Sequence, residues 1–251
     1  MKKMAIFITV RSDSSRLPQK CYKKICGKYV IEYVIEQAKK SKMADMVVLC
    51  TTDLSEDNKL CEIAKLNNID FFRGSVDDKL ARWRGATRKF GVDFFVTADG
   101  DDLFCSSELM DLAFKQYTTN RSEFIQGANL VDGAFTYGIK TSALNKVCEI
   151  KTTTDTEMMS IYFTDTDLFK VEELFNVPAI YKRNDIRMTL DYEDDFKFFK
   201  TVIEHFAGKN FGTQDVLSFL NDNIEIAGIN FYLEGRWKQN QIKNTKLKIK
   251  K

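Results

Sequence analysis

Three stretches of this 251-residue chain gather the side chains best suited to phosphate chemistry. The first, RSDSSRLPQK at residues 11–20, follows the apolar run MAIFITV and carries Arg11, Arg16 and Lys20 with Ser14 and Ser15 among them. Guanidinium forks and an ammonium suit phosphate oxygens, and hydroxyls add neutral hydrogen bonds. Pro18 restricts Leu17 to extended geometry, which fixes the path from Arg16 to Lys20. The stretch has no glycine, so it is neither a dinucleotide-binding turn nor a P-loop. The second stretch, VTADGDD, presents Asp99, Asp101 and Asp102 around Gly100. Carboxylates gathered at one strand end repel each other and favour a cation. Hard oxygens of this kind suit Mg²⁺, which takes one or two carboxylates plus substrate phosphates and keeps waters. The third, RMTLDYEDD, ends an expected strand on Asp191 and opens a helix with Glu193, Asp194 and Asp195, where acids complement the helix dipole. The single histidine, His205, falls late in an amphipathic helix and reads as structural, so no Ser–His or Cys–His pair is available. In-line displacement at phosphorus needs no such pair, because positioning and electrostatic stabilisation supply most of the catalysis.

The elements that must position these residues alternate along the chain. Apolar strands are expected at Met4–Val10, Met46–Cys50, Ile69–Arg73 and Val92–Thr97. Helices are expected at Tyr29–Lys40, Glu56–Asn67 and Asp77–Phe90, with another through ELMDLAFKQY capped by Ser106 or Ser107. Continuous apolar strands separated by helices imply a mostly parallel sheet covered on both faces. In such sheets ligands bind beyond the carboxyl ends of the strands, and the basic stretch lies beyond the first. After Asn120 the rhythm loosens. Strands are expected at Glu123–Gly127, Ala134–Ile139 and Val177–Tyr181, then a helix carrying Phe196, Phe199, Val202, Ile203 and Phe206, and a last helical region from Gln214 to Asn221 and beyond. With no Pro-, Gly- or Ser-rich linker, residues 1–235 read as one α/β domain with an inserted subregion at about 120–183, followed by a basic tail at 236–251.

Composition narrows the function classes. No apolar run approaches the roughly 18 residues of a membrane span. The N-terminal MKKMAIFITV ends against Arg11 without a small-residue cleavage site, so it reads as a strand of a cytoplasmic protein. The six cysteines form no C-x-x-C pair, which favours reduced thiols over zinc. Net charge is +2, but residues 236–251 hold seven basic residues and no acid, leaving 31 basic against 36 acidic residues elsewhere. An acidic body is a poor nucleic-acid footprint, and the tail reads as a solvated or partly helical end.

RSDSSRLPQK followed by KYVIEYVIEQA resembles the R-x-x-S-T-R-L-P-x-K opening of the bacterial cytidylyltransferases. These include the 3-deoxy-manno-octulosonate and N-acylneuraminate cytidylyltransferases and the spore-coat-polysaccharide type of nucleotidyltransferase. The resemblance continues through VVLCTTD, FFRGSVDDKLARW, VTADGDD, RMTLDYEDD and INFYLEGRWKQN, and is weakest between Asn129 and Pro178. It implies a Rossmann-like nucleotide-diphospho-sugar transferase fold and transfer of CMP from CTP to an acceptor, with Mg²⁺ and release of pyrophosphate. The acceptor would be an acidic or phosphorylated sugar or polyol used in surface glycans, and the enzyme a homodimer. Arg11, Ser14, Arg16 and Lys20 match the positions that wrap the triphosphate. Asp101, or Asp99 in another alignment, matches the first metal aspartate and Asp191 the second. Thr51, Thr52 and Asp53 resemble the loop beside the cytosine. Gly74 and Ser75, with Lys79 and Arg82, resemble the segment that shapes the base and acceptor side. Arg73, Arg84, Arg183 and Arg187 are candidates to meet an anionic acceptor. Asp13 stands where relatives usually carry glycine, and Gln19 where they often do, which puts a carboxylate and a bulky amide beside the expected triphosphate. Two other readings use the same scaffold. A glycosyltransferase would employ Asp99–Gly100–Asp101 as an Asp-x-Asp metal motif, and a non-catalytic binding protein would need no turnover. The basic stretch speaks against the first, since a sugar donor has no γ-phosphate to hold.

Overall fold

The computed structural model describes residues 2–156, 158–235 and 247–249. Most of the basic tail at 236–251 therefore lies outside the described residues. Of its described part, the Lys248 carbonyl accepts from the Thr152 N–H (2.9 Å) and Ile249 bridges to Lys151.

The chain opens with β1 (Met4–Thr9), a hairpin of β2 (Lys24–Ile25) and β3 (Lys28–Tyr29), and α1 (Val30–Ala38). Alternation continues through β4 (Met46–Thr52), α2 (Asn58–Leu66), β5 (Asp70–Gly74), α3 (Lys79–Phe90), β6 (Phe94–Asp99) and α4 (Ser107–Asn120). Then come β7 (Phe124–Gln126), β8 (Tyr137–Lys140), α5 (Thr141–Ile150), the single turn α6 (Ile161–Thr164) and β9 (Val171–Glu173). Helices α7 (Glu193–His205), α8 (Thr213–Asp222) and α9 (Ile224–Phe231) follow. The large sheet has the order β5-β4-β1-β6-β8-β7-β9. Its first four strands are parallel, β8 runs antiparallel to both neighbours, and β7 and β9 are parallel. The stretch 120–183 thus supplies the far edge of this same sheet.

Because side chains alternate along a strand, β1 feeds two cores. Ile6 and Ile8 pack with α1, α2, α4 and α7 on one face, while Ala5 and Phe7 pack with α3 and α5 on the other. Ser106 caps α4, its hydroxyl accepting from the Leu109 N–H (3.2 Å). His205 stacks on Phe219 at 4.0 Å, a structural contact.

Three expectations are corrected. Val177–Tyr181 is not a strand: Pro178 has no N–H to give a ladder, and a 3₁₀ turn follows at Ala179–Tyr181. The edge strand is β9 instead, whose VEE sequence is too short and polar to announce itself. The RMTLD segment is not a strand and makes only one bridge, Asp132 to Arg187. The strand expected at Ala134–Ile139 begins only at Tyr137, after a turn in which Gly133 has φ +82°. A Cβ on Gly133 would lie 2.0 Å from the Met188 carbonyl oxygen, so glycine alone lets the loop from β7 to β8 press against the segment before Asp191.

Candidate active site

The first loop is tied down at its start by a residue the sequence did not single out. Asp57, next to α2, turns its side chain away from its own helix. Its Oδ1 accepts from the Ser12 N–H (2.8 Å), and its Oδ2 accepts from the hydroxyls of Thr51 (2.8 Å) and Thr52 (2.5 Å). Burial works against ionisation of Asp57, but hydrogen bonds from Ser12, Thr52 and Thr51 outweigh it and hold the carboxyl below its ordinary range. The end of β4 and the loop after β1 are thereby one unit.

Beyond the strand ends lies a cavity of about 660 Å³. The first loop contributes Arg11, Ser14, Arg16 and Lys20 to its wall, and β6 with the following turn contributes Asp99, Asp101 and Asp102. Lys79, Arg82 and Asp191 border it too. Lys20 is the junction. Its Nζ donates to Asp101 Oδ2 (2.6 Å), Asp191 Oδ1 (3.0 Å) and the Leu190 carbonyl (2.7 Å). Arg16 donates to the same Asp191 oxygen at 2.5 Å. The structure thus brings Asp101 and Asp191 onto one ammonium, although they lie far apart in sequence. Asp99 is held elsewhere, by Lys79 Nζ at 2.8 Å. Lys79 also lies over the ring of Trp83, whose indole N–H donates to Thr9 Oγ1 (2.8 Å).

The turn carrying Asp101 depends on Gly100, where a Cβ would fall 2.6 Å from Val10 Cβ. The Gly100 N–H reaches the Thr9 carbonyl (2.8 Å), and the Asp101 carbonyl accepts from the Leu190 N–H (3.0 Å), joining the two aspartate segments. Behind Asp191 stands Arg187, wholly buried. It donates to Asp191 Oδ2 (3.0 Å), Asp195 Oδ1 (3.0 Å) and Glu234 Oε2 (3.2 Å). Asp195 Oδ2 in turn accepts the backbone N–H groups of Asp191 (2.8 Å) and Tyr192 (2.9 Å).

The charges respond accordingly. Burial alone would raise Asp191, but Lys20 and Arg16 prevail and hold its carboxyl at about 2. Burial opposes the charge on Lys20, yet Asp101 and Asp191 push its pKa above the ordinary lysine value. Asp101 is raised by burial despite Lys20, and Asp102 is raised further by burial with Asp101 and Asp99 beside it. This donor set fits a hard cation. Among the described residues no group of three or more His, Cys, Asp or Glu gathers to hold a metal by itself. A magnesium ion that also binds substrate phosphates needs only one or two carboxylates. Asp101 and Asp191 are such a pair, already converging on one positive charge.

Other expected site residues lie elsewhere. Thr51, Thr52, Asp53 and Gly74 do not border the cavity; the two threonines are fully buried, with their hydroxyls on Asp57, and the Asp53 N–H donates to the Gly74 carbonyl (3.0 Å). Nor do the four candidate acceptor arginines border it. Arg187 is committed to three carboxylates, Arg183 to Asp185, and Arg73 to Asn58 with the Thr52 and Leu54 carbonyls. Asp13 borders the cavity, but Gln19 does not. Gln19 has φ 52°, in the left-handed region, which is a physical reason for glycine to suit that position in similar chains.

Residues 5–225 match the cytidylyltransferase family. The chain belongs to that family. It is 31% identical over 225 residues to an uncharacterized protein of Methanocaldococcus jannaschii, covering 89% of this chain and 92% of that one. Among solved structures it is similar to a cytidylyltransferase from Leptospira borgpetersenii, with 28% identity, a TM-score of 0.81, and coverage of 90% of this chain and 97% of the other. A CMP:2-keto-3-deoxy-manno-octonic acid synthetase complexed with CTP shares the fold at 13% identity and a TM-score of 0.60, over 81% of this chain and 99% of that one. The fold is therefore the mostly parallel α/β sheet of nucleotide-diphospho-sugar transferases. No helix among the described residues is long and apolar enough to cross a membrane.

Proposed function

We propose that this cytidylyltransferase-family chain binds CTP and transfers CMP to a sugar-like acceptor, releasing pyrophosphate. The observation that carries the reading is the convergence of Lys20, Asp101 and Asp191 beside the loop cations. Arg11, Arg16 and Lys20 would neutralise the triphosphate and the departing pyrophosphate. An acceptor oxygen bonds to the α-phosphorus as the bond to the pyrophosphate oxygen breaks. Asp101 and Asp191 would hold Mg²⁺, which when bound offsets charge on the phosphates. Asp99, held by Lys79, supports the wall rather than the metal in this reading.

The acceptor is an acidic or phosphorylated sugar or polyol, for a surface glycan, and the enzyme acts as a cytoplasmic homodimer. The cavity lining also includes Asn129, Tyr137, Ser160 and Asn184, groups suited to a hydroxylated ring. The test is pyrophosphate release from CTP and Mg²⁺ across a panel of ulosonic acids, sugar phosphates and polyol phosphates. A glycosyltransferase would instead release a nucleotide from a nucleotide sugar and give no pyrophosphate.

Asp13 gives a graded prediction. Its exposed carboxylate borders the cavity beside the proposed triphosphate. Asp13→Gly should tighten CTP binding by about threefold to tenfold at low salt, with the gain shrinking as salt screens it. Titration calorimetry at two ionic strengths checks this; equal affinities would place the triphosphate away from Asp13.

A further inference from the structure

The described end of the basic tail is docked on the body of the protein. The Thr152 N–H donates to the Lys248 carbonyl (2.9 Å), and Ile249 forms an antiparallel bridge with Lys151. The Ile249 side chain packs on the core shared by α3 and α5. Lys151 is also tied inward: its Nζ donates to Asp78 Oδ2 and to the Thr153 carbonyl (2.8 Å). Asp78 caps α3, and its Oδ1 accepts from the Ala81 N–H (2.9 Å) and from the Thr156 hydroxyl (3.0 Å). That hydroxyl oxygen accepts from the Leu80 N–H (3.1 Å), and the Thr156 N–H donates to the Asp77 carbonyl (3.3 Å). Asp78 and Thr156 are both buried. Residues 152–156 belong to no helix or strand, so their backbone donors must be met by other segments. Just beyond them Met158, Met159 and Ser160 line the cavity and lead into α6, whose Phe163 N–H donates to the Ser160 carbonyl (2.9 Å). The path into the cavity is thus fixed at two points, the end of the tail and the start of α3.

We propose that the tail bridge at Lys248 and Ile249 positions the acceptor side of the cavity. It holds residues 151–156 against the start of α3, so that Met158, Met159 and Ser160 keep their places in the lining. Lys248 and Ile249 do not border the cavity and act only through the segment they hold, which makes them positioning residues. This rests on the cytidylyltransferase reading, in which the side with Tyr137 and Ser160 takes the acceptor. The loop after β1 is anchored separately, by Asp57 on the Ser12 N–H, so the triphosphate side does not depend on the tail. A segment with no ladder hydrogen bonds of its own opens at low free energy, and removing an anchor lowers that free energy further.

The test compares the full chain with a chain lacking residues 248–251 and with Thr156→Val, which keeps the tail but loses the hydroxyl between Asp78 and Leu80. Hydrogen exchange is followed without ligand, and calorimetry measures CTP with Mg²⁺. Pyrophosphate release with the fastest ulosonic acid, sugar phosphate or polyol phosphate of the panel gives KM and kcat. In both variants the amides of Thr152, Thr156 and α6 should exchange about tenfold faster, while those of β1, β4 and β6 keep their rates. The acceptor KM should rise about fivefold or more, with kcat within about twofold and CTP affinity unchanged. Unchanged exchange at Thr156 and α6 in the shortened chain overturns the proposal. So does an unchanged acceptor KM, or a loss of CTP affinity as large as the loss for the acceptor, which marks general destabilisation. A full chain that releases no pyrophosphate with any acceptor overturns the functional reading and the acceptor role of the tail together; the other contrary outcomes overturn the role of the tail alone.

Discussion

Arg187→Leu should destabilise the protein by about 3–5 kcal/mol, the usual cost of removing one partner from a buried ionic cluster. The guanidinium is wholly buried and faces Asp191, Asp195 and Glu234. Leucine fills some of the volume but leaves those carboxylates without their shared cation. The damage also spreads to geometry: Asp195 holds the backbone N–H groups of Asp191 and Tyr192, and Asn230 Nδ2 donates both to Asp195 (2.8 Å) and to the Arg187 carbonyl (3.1 Å). Lysine at 187 restores the charge but not the fork, so Arg187→Lys should recover only part of the loss. Urea denaturation of the three proteins measures the series. A loss below about 1 kcal/mol for Arg187→Leu would mean that water, not Arg187, satisfies these carboxylates.

Asp101→Asn should behave in the opposite way. Its carboxylate is partly exposed, at 22%, and its ionisation is disfavoured by burial, so stability should change little. Turnover should fall by on the order of 10²–10³-fold, the usual effect of losing one group that stabilises transition-state charge. CTP binding without Mg²⁺ should hold or improve, because one negative charge has left the triphosphate's surroundings. Pyrophosphate release gives the rate, and CTP titration with and without Mg²⁺ gives the affinity. Full activity in Asp101→Asn would remove it from the reaction.

Parts of this site were legible before the structure. The alternation of apolar strands and helices places the basic loop beyond β1, and the Asp99–Asp102 cluster beyond β6, by the strand-end rule alone. The meeting of Asp101 with Asp191 was not legible from composition or spacing; only the family resemblance suggested it. Asp57 was missed because the expected helix begins at Glu56, which makes it one more acid of a first turn, whereas its side chain leaves the helix to hold Ser12. Arg187 was a candidate to meet an anionic acceptor, and its place inside a cluster of carboxylates was not foreseen, since a wholly buried arginine is rare. Arg82 was reached only through the family resemblance; by pattern alone, between the fully buried Leu80 and Trp83, it reads as part of a charged helix face. Helix α5 was also unforeseen, although Ala143, Leu144 and Val147 fall on one buried stripe. In each case tertiary partners far along the chain decide the role, and local pattern carries no record of them.

The most direct test of the central claim is thermal melting with CTP, UTP, GTP, ATP and nucleotide sugars, each with and without Mg²⁺. Ligand at 100 times its Kd adds about 2.7 kcal/mol to stability. For a protein of this size that corresponds to a rise of roughly 5–10 °C. The account predicts that CTP with Mg²⁺ gives the largest rise and that Asp101→Asn loses the Mg²⁺-dependent part. A larger shift with a nucleotide sugar, or no shift with any nucleotide, would contradict it.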